Sequence, residues 1–232
     1  MGNRKMARGW VTAGGLLLLL AAAGLAAQTW RDKPATAWTA EEAEKVLRDS
    51  PWAQKKEIRI ARHRDIGDRL PQPPQPGIPP IIQRRPAERI IPSDFVTYVV
   101  RWDAADPVVQ AFARLEELGQ RGTASALAPP PRRPADRYVV TVVTTQFSET
   151  GEDLLDALDE TQLRLYARLK TRQGEAAPLE VERVRGTDTA AVHFFFPREQ
   201  DGHALVVAGI EEAEFKLETR RFKLNSKFRL GS

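Results

Sequence analysis

Cysteine is absent from the 232 residues and histidine occurs three times. The first absence excludes disulfides, thiolate metal sites, a cysteine nucleophile and a lipid carried on cysteine. A cysteine-free chain must be held by its apolar core, and 42% hydrophobic residues make that feasible. The scarcity of histidine limits acid–base chemistry, for which it is the commonest side chain. His63 precedes a proline-rich run, His203 lies in a Gly/Asp turn, and His193 shares strand parity with Ala191 and Phe195 at the margin of an apolar face. No HExxH, GxSxG, GxxxxGK[ST] or GxGxxG occurs. The sequence implies no metal, cofactor or catalytic residue.

An excess of one charge is also missing once the N-terminus is set aside. The formal charge is +4, but Arg4, Lys5 and Arg8 stand in an acid-free opening segment. Without them 32 basic residues face 31 acidic ones. A near-neutral chain lacks the electrostatic footprint that phosphate-backbone binding needs, which argues against nucleic acid as a partner. The pairs Arg84-Arg85, Arg132-Arg133 and Arg220-Arg221 read as solvated loops or strand faces.

What is present begins with a three-part leader. The basic start runs into an apolar block from Val11 to Ala27 that contains Leu16 to Leu20 and closes on small residues. This is the pattern of a signal peptide over 1–27, with cleavage near Ala27, and it predicts an exported, periplasmic or envelope-associated protein. No second run approaches the ~20 apolar residues of a membrane span, so membrane contact is expected only through an uncleaved leader. Retention of the leader would instead make the chain an envelope-anchored spacer.

The remainder reads as a linker over 28–37 and one domain over 38–232. Thr39 and Glu42 form a capping box for a short helix with Ala43, Val46 and Leu47 on one face. Ser50-Pro51 stops it, and Trp38 and Trp52 flank it as docking anchors. A strand over 57–62 follows. Eight of the 17 prolines then fall between Pro71 and Pro92, an extended insertion loop if Ile58 to Arg62 pairs beside Phe95 to Arg101. Phe95 to Trp102 and Tyr138 to Thr145 read as strands, and Asp106-Pro107 opens a helix between them. A second flexible loop is expected over 123–136. Thr150 to Leu158 resembles a short helix, and the alternation of Leu163, Leu165, Ala167 and Leu169 with charged or polar neighbours predicts a strand over Leu163 to Lys170. A hairpin of Leu179 to Arg185 with Thr189 to Pro197 turns at Gly186-Thr187-Asp188, and two strands over 214–220 and 221–230 close the chain. Early helices and late strands predict an α+β fold, with two to three helices on a mostly antiparallel sheet and a C-terminal strand meander.

Among the candidate sites, Arg101-Trp102-Asp103 at a strand end stands out, because a guanidinium, an indole and a carboxylate there could bind an anionic or sugar ligand. The competing expectation is that Trp102 packs under the helix while Arg101 and Asp103 hold each other at the rim. Glu41, Glu42, Glu44, Glu116 and Glu117 fall on helix surfaces.

The segments WTAEEAEKVL (38–47) with SPWA (50–53), VRWD (100–103) with Ala105 and Pro107, Val184-Arg185-Gly186, FFFPR (194–198) and Phe222-Lys223-Leu224 span most of the chain after the leader. In this order they resemble a family of uncharacterised exported bacterial proteins. The resemblance implies a variable insertion at 71–92 and no particular activity. The expected function is therefore a non-enzymatic binding or assembly module of the periplasm or envelope, with an envelope protein as partner. The alternative is a carboxylate-based periplasmic hydrolase in which Asp103 acts and Arg101 and Trp102 touch substrate.

Overall fold

The computed structural model describes residues 30–60, 94–131, 136–148, 153–186, 190–207 and 212–230. The leader, the proline-rich run and the 187–189 turn therefore lie outside the described residues.

Chain order sets out a helix α1 (Ala40–Arg48), strands β1 (Ala53–Ile60) and β2 (Asp94–Trp102), helices α2 (Asp106–Glu117) and α3 (Arg121–Ala126), and strand β3 (Arg137–Gln146). Helix α4 (Glu160–Tyr166) leads into β4 (Ala167–Lys170), β5 (Glu175–Ala176), β6 (Glu180–Arg185) and β7 (Ala190–Pro197). A small ribbon, β8 (Glu199–Gln200) with β9 (His203–Ala204), precedes β10 (Glu212–Glu218) and β11 (Lys223–Arg229). The result is an α+β fold with antiparallel sheets. One sheet has the order β1-β2-β3-β7-β6 and the other β11-β10-β4-β5.

The two sheets meet because period-2 strands present one apolar face each. Trp102, Val140 and Phe194 are directly opposite one another across β2, β3 and β7. From that face Phe194 and Phe196 reach Phe215 of β10, with ring centroids 5.1 and 6.2 Å apart. Trp102 lies 5.7 Å from Phe228 of β11. All are buried, and each such ring contributes roughly 1.5–3 kcal/mol by leaving water.

The opening helix is built as its sequence dictates. Thr39 Oγ1 accepts from the Glu42 amide at 3.2 Å, and Glu42 Oε2 accepts from the Thr39 amide at 3.0 Å. Trp38 and Trp52 are both buried, as docking anchors should be. Trp30, in the stretch expected to be a linker, belongs to the domain: its ring stands 6.1 Å from Trp38 and 6.0 Å from Trp52. The carbonyl of Trp30 accepts from Trp38 Nε1 at 2.8 Å, and Arg114 Nε of α2 donates to the Trp38 carbonyl at 2.8 Å. Three tryptophans thus seal α1 and α2 together at one corner.

Strands β1 and β2 are neighbours, with Ile58 opposite Val96. Segment 61–93 consequently joins two adjacent antiparallel strands, consistent with an insertion between them. The 179–185/189–197 hairpin forms as β6 with β7, and the closing strands form as β10 with β11.

Three local expectations give way. Residues 163–166 are helical, because Asp159 and Gln162 make a second capping box that nucleates α4. The alternation is used only from Ala167 onward, leaving Leu165 59% exposed. Part of the expected 123–136 loop is α3, which extends to Ala126. The stretch 153–158 is a series of turns rather than a helix, since Asp153 gathers Tyr98 Oη (2.8 Å), Thr144 Oγ1 (2.6 Å) and the Leu155 amide (2.9 Å). Burial first and the Asp153 carboxylate second push the Tyr98 hydroxyl far above the ordinary tyrosine range.

Candidate functional site

Alternation along β2 divides the sequence-predicted trio. Trp102 faces the second sheet, whereas Arg101 and Asp103 face the helices and are completely buried. The pair does hold together, but beneath α2 and α3 rather than at a rim. Arg101 Nε donates to Asp103 Oδ1, and its Nη2 reaches Oδ2 at 3.4 Å. Its Nη1 donates to the Leu127 carbonyl at 2.8 Å and its Nη2 to the Ala128 carbonyl at 2.7 Å, and its Cζ lies 4.6 Å from the centre of the Phe112 ring. Ala128 has φ +49°, in the left-handed region, so the chain leaving α3 bends to aim successive carbonyls at the guanidinium.

Strand register extends this pair into a row across the sheet. Ala53, Arg101, Thr141, His193 and Glu182 stand directly opposite one another on β1, β2, β3, β7 and β6. Thr141 Oγ1 donates to Asp103 Oδ2 and lies 2.7 Å from His193 Nδ1. A hydroxyl carries one proton, which here goes to Asp103, so Nδ1–H of His193 must donate to Thr141. Burial, the largest influence, holds His193 below its ordinary value of 6.5; Arg101 acts in the same direction, while Asp103 and Glu182 oppose it. Chemically Arg101, Asp103, Thr141 and His193 form one buried hydrogen-bonded network, with Glu182 at its exposed end. Both Asp103 oxygens are engaged by Arg101 and Thr141, leaving no face on which a substrate could meet the carboxylate.

One solvent-facing feature is a groove of about 350 Å³ lined by Trp52, Trp102, Tyr138, Asp106, Pro107 and Arg198. Trp102 packs 5.2 Å from Tyr138, and Arg198 Cζ lies 5.1 Å from the centre of the Tyr138 ring, over its face. A cation over a ring face is held by the ring quadrupole, so the guanidinium is presented in a defined place. Its backbone is anchored too: the Arg198 amide donates to Asp136 and its carbonyl accepts from Leu205. Arg198 makes no ion pair among the described residues. Of the predicted trio, only Trp102 reaches this groove. Tyr138 and Arg198 were missed as site residues because only the pairing of β3 with β2 and β7 brings them beside Trp102.

Among the described residues no group of three or more His, Cys, Asp or Glu could hold a metal ion, and no helix is long and apolar enough to cross a membrane. Compared with family models, curated proteins and solved structures, the chain matches none.

Proposed function

We propose that this chain is an exported, non-enzymatic binding module of the periplasm or envelope, and that its groove receives an anionic segment of an envelope protein on Arg198. The observation that carries the reading is the contrast between two arginines. All three guanidinium nitrogens of Arg101 are bonded inside the fold, while Arg198 is exposed, steadied on Tyr138 and without an ionic partner among the described residues. A prepositioned guanidinium binds carboxylate or phosphate with less loss of side-chain freedom than a mobile one. The hydrolase alternative draws no support from Asp103, whose oxygens are consumed by Arg101 and Thr141.

Export rests on the leader at 1–27, and the resemblance to exported bacterial proteins is consistent with it. A cytoplasmic protein whose intact mass begins at Met1 overturns that part. For the groove, a photoreactive benzoylphenylalanine at Ala104 should give one discrete cross-linked partner in the native cell, and Arg198→Ala should abolish it. Cross-linking no stronger than at a control position on β1, Lys55, or unaffected by Arg198→Ala, overturns the reading.

A further inference from the structure

A second cleft lies away from the groove, between the turns at 153–158, α4 and the tip of the β10–β11 hairpin. Its volume is about 230 Å³, and Leu154, Leu158, Tyr166 and Phe222 supply its apolar surface. Leu154, Leu158 and Tyr166 are only partly buried and lean on the core. At the mouth stand Arg220 and Arg221.

The arginines are carried on a rigid turn. Thr219 Oγ1 accepts from the amides of Arg221 (3.1 Å) and Phe222 (3.0 Å), and the Thr219 amide donates to the Phe222 carbonyl at 2.9 Å. Neither guanidinium makes an ion pair among the described residues. Glu218, the adjacent acid, is occupied by Lys223 at 3.9 Å and Asn225 at 3.3 Å. An apolar slot is thus bordered by two exposed arginines whose backbone is held in a hydrogen-bonded turn.

We infer that this cleft binds a single-tailed acyl carboxylate, the chain lying against Leu154, Leu158 and Phe222 and the headgroup meeting Arg220 and Arg221. Three observations select this occupant. The slot is smaller than the roughly 300–1,000 Å³ of pockets that enclose drug-sized ligands, which suits a slim chain rather than a ring system. Its lining is chiefly apolar, so a peptide would leave backbone amides without partners, whereas an alkyl chain has none to satisfy. The paired guanidiniums complement one terminal anion at the open end. The inference is independent of the groove at Arg198.

The test is calorimetric titration of the full chain with decanoate, using acetate as the bare headgroup. Saturable binding of decanoate and none of acetate is expected. Arg220→Ala/Arg221→Ala should weaken decanoate binding about tenfold, since charge-assisted hydrogen bonds of that kind contribute on this scale. Ala157→Trp, at an exposed lining position, should fill the slot and abolish binding without lowering the unfolding midpoint. Absence of saturable decanoate binding overturns the inference, as does equal affinity in the double arginine variant. Co-sedimentation with phosphatidylglycerol vesicles in the absence of decanoate binding also overturns it, identifying the patch as a membrane contact instead.

Discussion

The two faces of the five-stranded sheet, made by alternate residues of the same strands, solve burial in opposite ways. Towards the second sheet the row Trp102, Val140, Phe194 is apolar and packs on Phe215 and Phe228. Towards the helices the adjacent row carries Arg101, Thr141 and His193, with Asp103 beside them. Apolar burial is non-directional and tolerates rearrangement, whereas a buried charge demands every partner in place. The apolar row joins the sheets. The polar row ties β2, β3 and β7 to the chain leaving α3 through specific bonds, so it fixes where the helical layer sits.

Breaking the polar row should therefore be the costlier injury. Arg101→Met strands Asp103 in a dry interior and should destabilise the protein by about 3–5 kcal/mol in urea unfolding. Arg101→Met/Asp103→Leu, which removes both charges, should be more stable than that single variant; if it is not, the carbonyl contacts to Leu127 and Ala128 dominate. On the face that carries Trp102, Tyr98→Phe removes the hydroxyl shared by Asp153 and the Leu154 amide and should cost less, about 1–3 kcal/mol by the same assay.

Acid should act on the polar row through His193. The folded-state pKa of His193 lies below its ordinary 6.5, so the folded protein binds that proton less readily than the unfolded chain. This contribution leaves stability undiminished above about pH 6.5 and lowers it as the pH falls from there towards the depressed folded value. His193→Gln should flatten that part of the unfolding free energy against pH profile; an unchanged slope places the titration elsewhere.

The smallest effect sharpens the comparison from the apolar side. Ser226 stands opposite Phe215, and its buried hydroxyl has no partner among the described residues. Ser226→Ala should raise stability by up to about 1 kcal/mol, measured as a shift in the denaturation midpoint. A loss instead means that the hydroxyl is satisfied and that this face is less dry than its neighbours.

Residues close in sequence carried much of their own structure. The Thr39/Glu42 capping box, the β6–β7 hairpin and the strand patterns of 95–102 and 138–145 were legible because their determinants lie within a few residues of each other. Leu163 to Lys170 misled because alternation and helix nucleation compete over the same residues, and the Asp159–Gln162 cap won the first half. The trio Arg101, Trp102, Asp103 was legible as unusual but not as divided.

Sequence by itself determined the cysteine-free chemistry, the charge balance, the helix caps and which residues could share a strand face. Tertiary structure decided which face met which partner. Parity places Thr141 and His193 on one side of their own strands, but only the register of β2, β3 and β7 sets them beside Arg101 and Asp103. The same register put Tyr138 and Arg198 next to Trp102. A one-residue slip in pairing would exchange the faces, and that register is fixed by the burial of the whole assembled core rather than by any one segment.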